Sequence, residues 1–304
     1  MKKIVIITIA ILLIPYLVIT LFKKEEEIKF YYNENQIVRV KREKTGKIEH
    51  VPFEVYIRGV LSSEMPTSFH IEALKAQAVA ARSYVLTKME QNKNNTYDVV
   101  DTVSNQVYLS DEELKEKWGK DYVKKINKVT TAVSETTGEY LEYNGEVAEA
   151  FFFSTSTGKT ENVEEVFSEK LPYLRSVDST WDKEVSPVYE VEKNFSLQEF
   201  YQLLGLKYQD NLEVKITKTT STGRVKELQI NGTIFSGNVV YQKLKLRSTF
   251  FKIEKKANEV LITTRGYGHG VGMSQYGAEG MAKEGYTYDQ ILKHYYQGIN
   301  IKKM

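Results

Sequence analysis

The chain of 304 residues contains no cysteine and only four histidines, His50, His70, His269 and His294. Disulfides and thiolate metal sites are excluded at once. The histidines are scattered, with neither an H-E-x-x-H pair nor ligand-like spacing, so no metal centre is expected. Excess charge is also missing: 42 Lys and Arg against 40 Asp and Glu leave a net +2. That is far from the basic surface nucleic-acid binding requires, and no nucleic-acid partner is expected. Tandem repeats and low-complexity tracts are absent. So is a phosphate-cradling loop, although glycine is plentiful at 266, 268, 270 and 272. A G-x-G-x-x-G pattern would need glycine at 271, 273 or 275, where Val, Met and Gln stand, and no G-K-[ST] follows. No cofactor is implied.

What is present begins with an apolar fraction of 41%, ordinary for a globular chain with a sizeable core. One uncharged apolar run, Ile4 to Phe22, is long enough to cross a bilayer and lies between Lys2-Lys3 and Lys23-Lys24. It ends in Ile19-Thr-Leu-Phe22, without an A-x-A-like cleavage site, which favours an uncleaved anchor over a signal peptide. Lys2 and Lys3 favour a cytoplasmic N-terminus, with the body outside the cytoplasm.

The remainder reads as an α+β fold: a mixed helix and strand body with an inserted β-rich lobe. The expected divisions are 1–27 as anchor and charged spacer, 28–187 as the first part of the body, 188–262 as the lobe and 263–304 as the closing segment of the body. A hairpin is expected around Ile37-Val-Arg-Val40 with a turn at Thr45-Gly46. From Pro52 to Glu64 the apolar positions Phe53, Tyr56, Ile57, Val60 and Leu61 share one helical face, and Pro66 stops that helix. Three residues beyond Leu61 the stripe reaches Glu64. A carboxylate at an inward position would have its pKa raised by burial, the profile of a catalytic acid; the alternative is a helix-terminal Glu facing water. The next helix spans roughly Ser68 to Gln91, capped by Ser68 or Thr67, with Lys75 and Arg82 on one face. A further helical stretch covers 111–136, Asn144-Gly145 marks a hairpin turn, and Phe151-Phe-Phe153 a buried strand. Strand-like runs such as Leu212–Thr217, Val225–Ile230 and Val260–Thr264 fill the lobe.

Two ordered blocks carry a resemblance. The first is Gly59-Val-Leu-Ser-Ser-Glu-Met-Pro66 with Glu72-Ala-Leu-Lys-Ala-Gln-Ala-Val-Ala-Ala-Arg-Ser-Tyr84. The second is Arg265-Gly-Tyr-Gly-His-Gly-Val-Gly-Met-Ser-Gln-Tyr-Gly277 followed by Tyr288-Asp-Gln-Ile-Leu-Lys-His-Tyr-Tyr-Gln-Gly298. Weaker blocks are Phe151-Phe-Phe-Ser-Thr-Ser-Thr-Gly-Lys-Thr160 and Pro172-Tyr-Leu-Arg-Ser-Val177. Together they resemble the stage II sporulation protein D family, bacterial cell-wall lytic transglycosylases and their relatives.

The resemblance implies cleavage between N-acetylmuramic acid and N-acetylglucosamine by one Glu, at the position of Glu64. That Glu protonates the glycosidic oxygen and then takes the proton of the sugar's own C6 hydroxyl, closing a 1,6-anhydro ring without water. It also implies peptide-free glycan strands as substrate, a role in engulfment, and partnership with stage II sporulation proteins P, an amidase, and M. The setting would be a single-pass protein of the mother-cell membrane, its body facing the septal wall. Arg82 could hold the lactyl carboxylate of muramic acid, steady Glu64, or form a structural ion pair. Gln77, Ser83 and Tyr84 belong to the same block as candidate sugar contacts. Ser154, Ser156 and Lys159 would present hydroxyls and a cation to the glycan cleft, or form a polar turn. His269, Gln275 and Tyr276 would line the groove, with core packing as the alternative for His269 and Tyr276. Some family members carry a cysteine-containing zinc site near the equivalent of Asp101–Tyr108, which this chain cannot build. Two rivals remain: a glycan-binding amidase enhancer without catalysis, and a two-carboxylate glycosidase using Glu161 or Asp178 as second acid.

Overall fold

The computed structural model describes residues 25–304. The anchor expected at Ile4–Phe22 lies outside the described residues, among which no helix is long and apolar enough to cross a membrane. The described chain is a mixed α+β structure with five small sheets. Strands β1 (Ile37–Lys41) and β2 (Ile48–Pro52) pair antiparallel, with Val40 opposite Glu49, and turn through Gly46 at φ +69°. Val38 and Val40 point into the core, alternating with half-exposed neighbours as a half-buried strand must.

Helix α1 (Phe53–Glu64) follows without a linker and buries the expected stripe of Phe53, Tyr56, Ile57, Val60 and Leu61. It ends because Pro66 forces the preceding Met65 into an extended conformation, φ −118° and ψ 142°. Helix α2 (Ile71–Gln91) begins later than its expected cap at Ser68 or Thr67. The chain from Pro66 to Phe69 closes a turn instead, Phe69 N–H to the Pro66 carbonyl, and the His70 ring accepts the Glu72 N–H as N-cap. Ala73, Ala76, Ala78, Ala80 and Ala81 are fully buried on different sides of α2. A helix buried on nearly every side over 73–85 becomes the centre of a bundle.

After β3 (Val99–Val100), which joins β1 in parallel, the expected stretch 111–136 is split into α3 (Asp111–Trp118) and α4 (Tyr122–Glu135). Gly119, at φ +51°, turns the chain between them through a short 3-10 segment. Strands β4 (Glu139–Tyr143) and β5 (Glu146–Val147) form the expected hairpin, with Asn144 and Gly145 both at positive φ, as a type I′ turn requires. Strand β6 (Phe152–Phe153) is shorter than expected, and of Phe151, Phe152 and Phe153 the last alone is buried.

Past helix α5 (Trp181–Val185) come β7 (Glu190–Ser196), helix α6 (Leu197–Leu204), β8 (Val214–Thr219), β9 (Val225–Ile230), β10 (Thr233–Ser236), helix α7 (Gly237–Lys243), β11 (Phe251–Lys256) and β12 (Glu259–Arg265). They form two antiparallel sheets, β10-β9-β8 and β11-β12-β7, around a core of Phe195, Phe200, Leu228, Val240 and Ile262. Helices α6 and α7 interrupt a region whose sequence reads as strands, each starting at a serine N-cap, Ser196 and Ser236, immediately after a strand.

The chain then returns to the first core. Strand β13 (Met273–Ser274) pairs in parallel with β6, helices α8 (Gln275–Lys283) and α9 (Tyr288–Tyr295) pack on α2, and β14 (Asn300–Lys303) pairs with β4. The main core therefore joins residues near positions 40 to 85 with residues near 271 to 299. Each fully buried Leu or Ile in it contributes about 1.5–3 kcal/mol.

Candidate functional site

Glu64 is the last residue of α1 and half-buried. Its Oε1 accepts the backbone N–H of Val107 at 2.7 Å. Burial pushes the carboxyl above the usual carboxylate range, while the Val107 N–H and the Gln275 amide pull it down. Val107 is aimed by its neighbours: Asn105 accepts from the Val100 N–H and donates to the Tyr84 hydroxyl, and Gln106 accepts from the Tyr56 hydroxyl. The sequence marked Asp101–Tyr108 only as a stretch that cannot build a zinc site, and the part played by Asn105, Gln106 and Val107 is visible only once α1, α2 and this loop meet.

A cleft of about 510 Å³ opens at the end of α1, lined by Glu64, Met65, Pro66, Lys117, Trp118 and Lys125 among others. Glu64 is the one carboxylate among its described lining residues. A second cleft of about 360 Å³ shares Thr67, Ser68 and Lys125 with the first, so the two make one groove.

The two sequence blocks converge at Glu64. Gln275, first residue of α8, donates its amide to Oε1 of fully buried Gln77 at 3.5 Å and stands near enough to Glu64 to lower the pKa of its carboxyl. Tyr276 packs edge-on against Phe69 at 5.0 Å, and its N–H donates to the Ser154 carbonyl. Tyr84, through Asn105, supports the loop that carries Val107.

Other candidates have structural duties. Arg82 is fully buried and bonds Glu54 through Nε and a terminal nitrogen, with Thr136 and the Val133 carbonyl taking further donors. Of its three proposed roles the structural ion pair is the one realised, and its partner is Glu54 rather than Glu64. Ser83 is likewise sealed, donating to the Val79 carbonyl and accepting from the Leu141 N–H. Ser156 is buried against Asp182, while Lys159 is exposed and lies 3.4 Å from Asp178.

His269 accepts the Val271 N–H at Nδ1, 3.1 Å, which leaves Nε2 to donate to the Phe152 carbonyl at 3.1 Å. Burial and the nearby Arg224 lower its pKa to about 4, so the ring is neutral at physiological pH. Its edge borders a small cavity of about 110 Å³ shared with Tyr84, Asn105 and Phe151.

The alternating glycines are built around a contact, and the contact is with the chain itself. A Cβ on Gly272, at φ +79°, would stand 2.0 Å from the Phe151 carbonyl oxygen. One on Gly270 would strike Arg224 and Glu161. Tyr267 exchanges both backbone hydrogen bonds with Thr155, so the run cradles residues 151–161. Beneath it, Asp182 accepts from Ser156 N–H, Ser156 Oγ, Ser179 Oγ and Ser274 Oγ, fixing the N-cap of α8. Asp182 went unnoticed in the sequence, since Ser156 and Ser274 lie 26 and 92 residues away from it.

The second-carboxylate candidates are engaged elsewhere. Glu161 is fully buried with Arg224, 3.2 Å from its Nε, and Asp178 pairs with Lys159. Neither lines the Glu64 cleft. Among the described residues no group of His, Asp and Glu could hold a metal ion.

A family model described as "Stage II sporulation protein" matches residues 41–143, the stretch that contains Glu64, α2 and the Val107 loop. The chain is 46% identical over 273 residues to Stage II sporulation protein D of Bacillus subtilis (strain 168), covering 88% of this chain and 79% of that one. It is 44% identical over 274 residues to Stage II sporulation protein D of Bacillus amyloliquefaciens, covering 88% and 78%. An Amidase enhancer of Bacillus subtilis (strain 168) is 31% identical over 81% of this chain and 40% of its own length. With the blocks meeting at one site and this degree of likeness along nearly the whole chain, the chain belongs to the stage II sporulation protein D family.

Proposed function

We propose that this sporulation protein is a peptidoglycan lytic transglycosylase in which Glu64 alone serves as general acid and then general base. The observation that carries the reading is that, among the described residues, Glu64 is the one carboxylate lining its cleft and burial raises its pKa. A protonated Glu64 donates to the oxygen between N-acetylmuramic acid and N-acetylglucosamine as the C1–O bond breaks. The resulting carboxylate removes the proton of the C6 hydroxyl, whose oxygen bonds to C1, closing the 1,6-anhydro ring and returning Glu64 to its acid form. The Val107 N–H and Gln275 amide stabilise the carboxylate between the two transfers. An ordinary glycosidase would need a second carboxylate across the scissile bond.

The substrate is peptide-free glycan in the wall between the engulfing membranes, with stage II sporulation proteins P and M as partners and Ile4–Phe22 as the anchor of an extracytoplasmic body. Mass spectrometry of peptide-free strands incubated with the protein and its Glu64→Gln variant tests the reaction. Anhydro-ended fragments from the native protein alone are expected; reducing ends would mean hydrolysis. Bound but intact glycan would favour the second reading, a glycan-binding amidase enhancer, for which the 31% identity to a protein named Amidase enhancer speaks.

A further inference from the structure

The groove that holds Glu64 continues past Lys125 into the second cleft, and cations dominate its walls: among the described residues Lys117, Lys124, Lys125 and Lys128 are set against Glu64 and Asp121 alone. Lys128 is already bound to the Phe69 carbonyl at 2.5 Å. Lys125 is held more loosely, 3.8 Å from Asp121 and about one-third exposed. It also lies 5.8 Å from the centre of the Trp118 ring, and Trp118, half-buried, forms part of the same wall as Glu64. An aromatic face beside a cation suits a sugar that carries an anionic substituent: the ring covers the apolar face of a pyranose and the ammonium receives the charge.

We propose that Trp118 and Lys125 form a subsite of this groove, Trp118 as the platform for a pyranose ring and Lys125 as the anchor for the carboxylate of that ring's lactyl group. The proposal rests on the glycan reading of the Glu64 cleft and assigns the residues that recognise the substrate there. A muramic acid bearing a stem peptide has this carboxylate locked in an amide, so Lys125 meets a free anion only on a peptide-free sugar. The contact is exposed at its rim and therefore weakens as salt is added.

Calorimetry in the Glu64→Gln background tests it without turnover. The probes are a peptide-free tetrasaccharide of alternating N-acetylglucosamine and N-acetylmuramic acid, and chitotetraose, which has the same length but no lactyl group. The carboxylate-bearing sugar should bind about tenfold more tightly at low salt, as one charge-assisted hydrogen bond allows. Lys125→Gln should abolish that preference and leave chitotetraose binding unchanged. Trp118→Ala should weaken both sugars, whereas Trp118→Phe, which keeps an aromatic face, should retain most of the binding. An undiminished preference in Lys125→Gln overturns the carboxylate anchor, and unchanged affinities in a folded Trp118→Ala overturn the platform. If Lys125 governs the preference but the native protein never yields anhydro ends, the subsite stands and the transglycosylase reading falls.

Discussion

Glu64 is held between opposed influences, burial favouring the neutral acid and two hydrogen-bond donors favouring the anion. The net shift is upward, so folding favours the neutral form more than the unfolded chain does. Stability from this group is full below the unfolded carboxyl pKa and is lost as pH rises through the raised folded value. Glu64→Gln keeps the shape and can still accept from Val107, yet it avoids the buried charge. We expect it to reduce turnover by about 10²–10⁴-fold. Denaturant titration at neutral pH should find it at least as stable as the native protein, with the difference shrinking toward pH 4. His269 behaves in the opposite sense. With a folded pKa of about 4 against an ordinary 6.5, it contributes stability at neutral pH that is lost as pH falls between those values. Nitrogen-detected NMR should find the Nε2–H tautomer at pH 7 and titration near pH 4.

Helices α1 and α2 are joined by the buried pair of Glu54 and Arg82, and this pair separates structural from chemical damage. Arg82→Met leaves Glu54 uncompensated in the core and should cost about 3–5 kcal/mol, read by urea denaturation, with activity falling as the folded fraction falls. Glu64→Gln, by contrast, should lose activity with the fold intact. Gly272→Ala should destabilise by at least about 2 kcal/mol, combining left-handed strain with the collision against Phe151. The boundaries of α1, the hairpin at Asn144-Gly145 and the apolar stripe ending at Glu64 were all legible in the sequence. Each is governed by neighbours within a few positions: Pro66, two residues at positive φ, a helical period. The His70 cap was hidden because the turn from Pro66 to Phe69 displaces the helix start past the better capping residues. Arg82 was ambiguous for a different reason. Its partner Glu54 lies 28 residues away on another helix, and Asp182 lies 92 from Ser274, so no local pattern records either contact.

At the scale of the molecule, the strand-rich region between β7 and β12 meets the body through Arg224 and Glu161, both fully buried beside Gly270. Burial pushes Glu161 up and Arg224 down, against their mutual attraction. Arg224→Met alone should therefore destabilise by about 3–5 kcal/mol, while Glu161→Leu combined with Arg224→Met should recover much of that loss. A double-mutant cycle by chemical denaturation measures the coupling. The same return of the chain has a kinetic side. Helix α2, the centre of the body, is complete by residue 91, yet the surfaces that cover it include α8, α9 and β14, some two hundred residues further on. A chain emerging from its N-terminal side must hold those apolar surfaces apart from solvent or from other chains until residues 273–304 arrive, and Gln275 reaches Glu64 only at that moment. The packing around α2 is thus finished last, although the residues that line the groove, 62–68 and 117–128, are all made early.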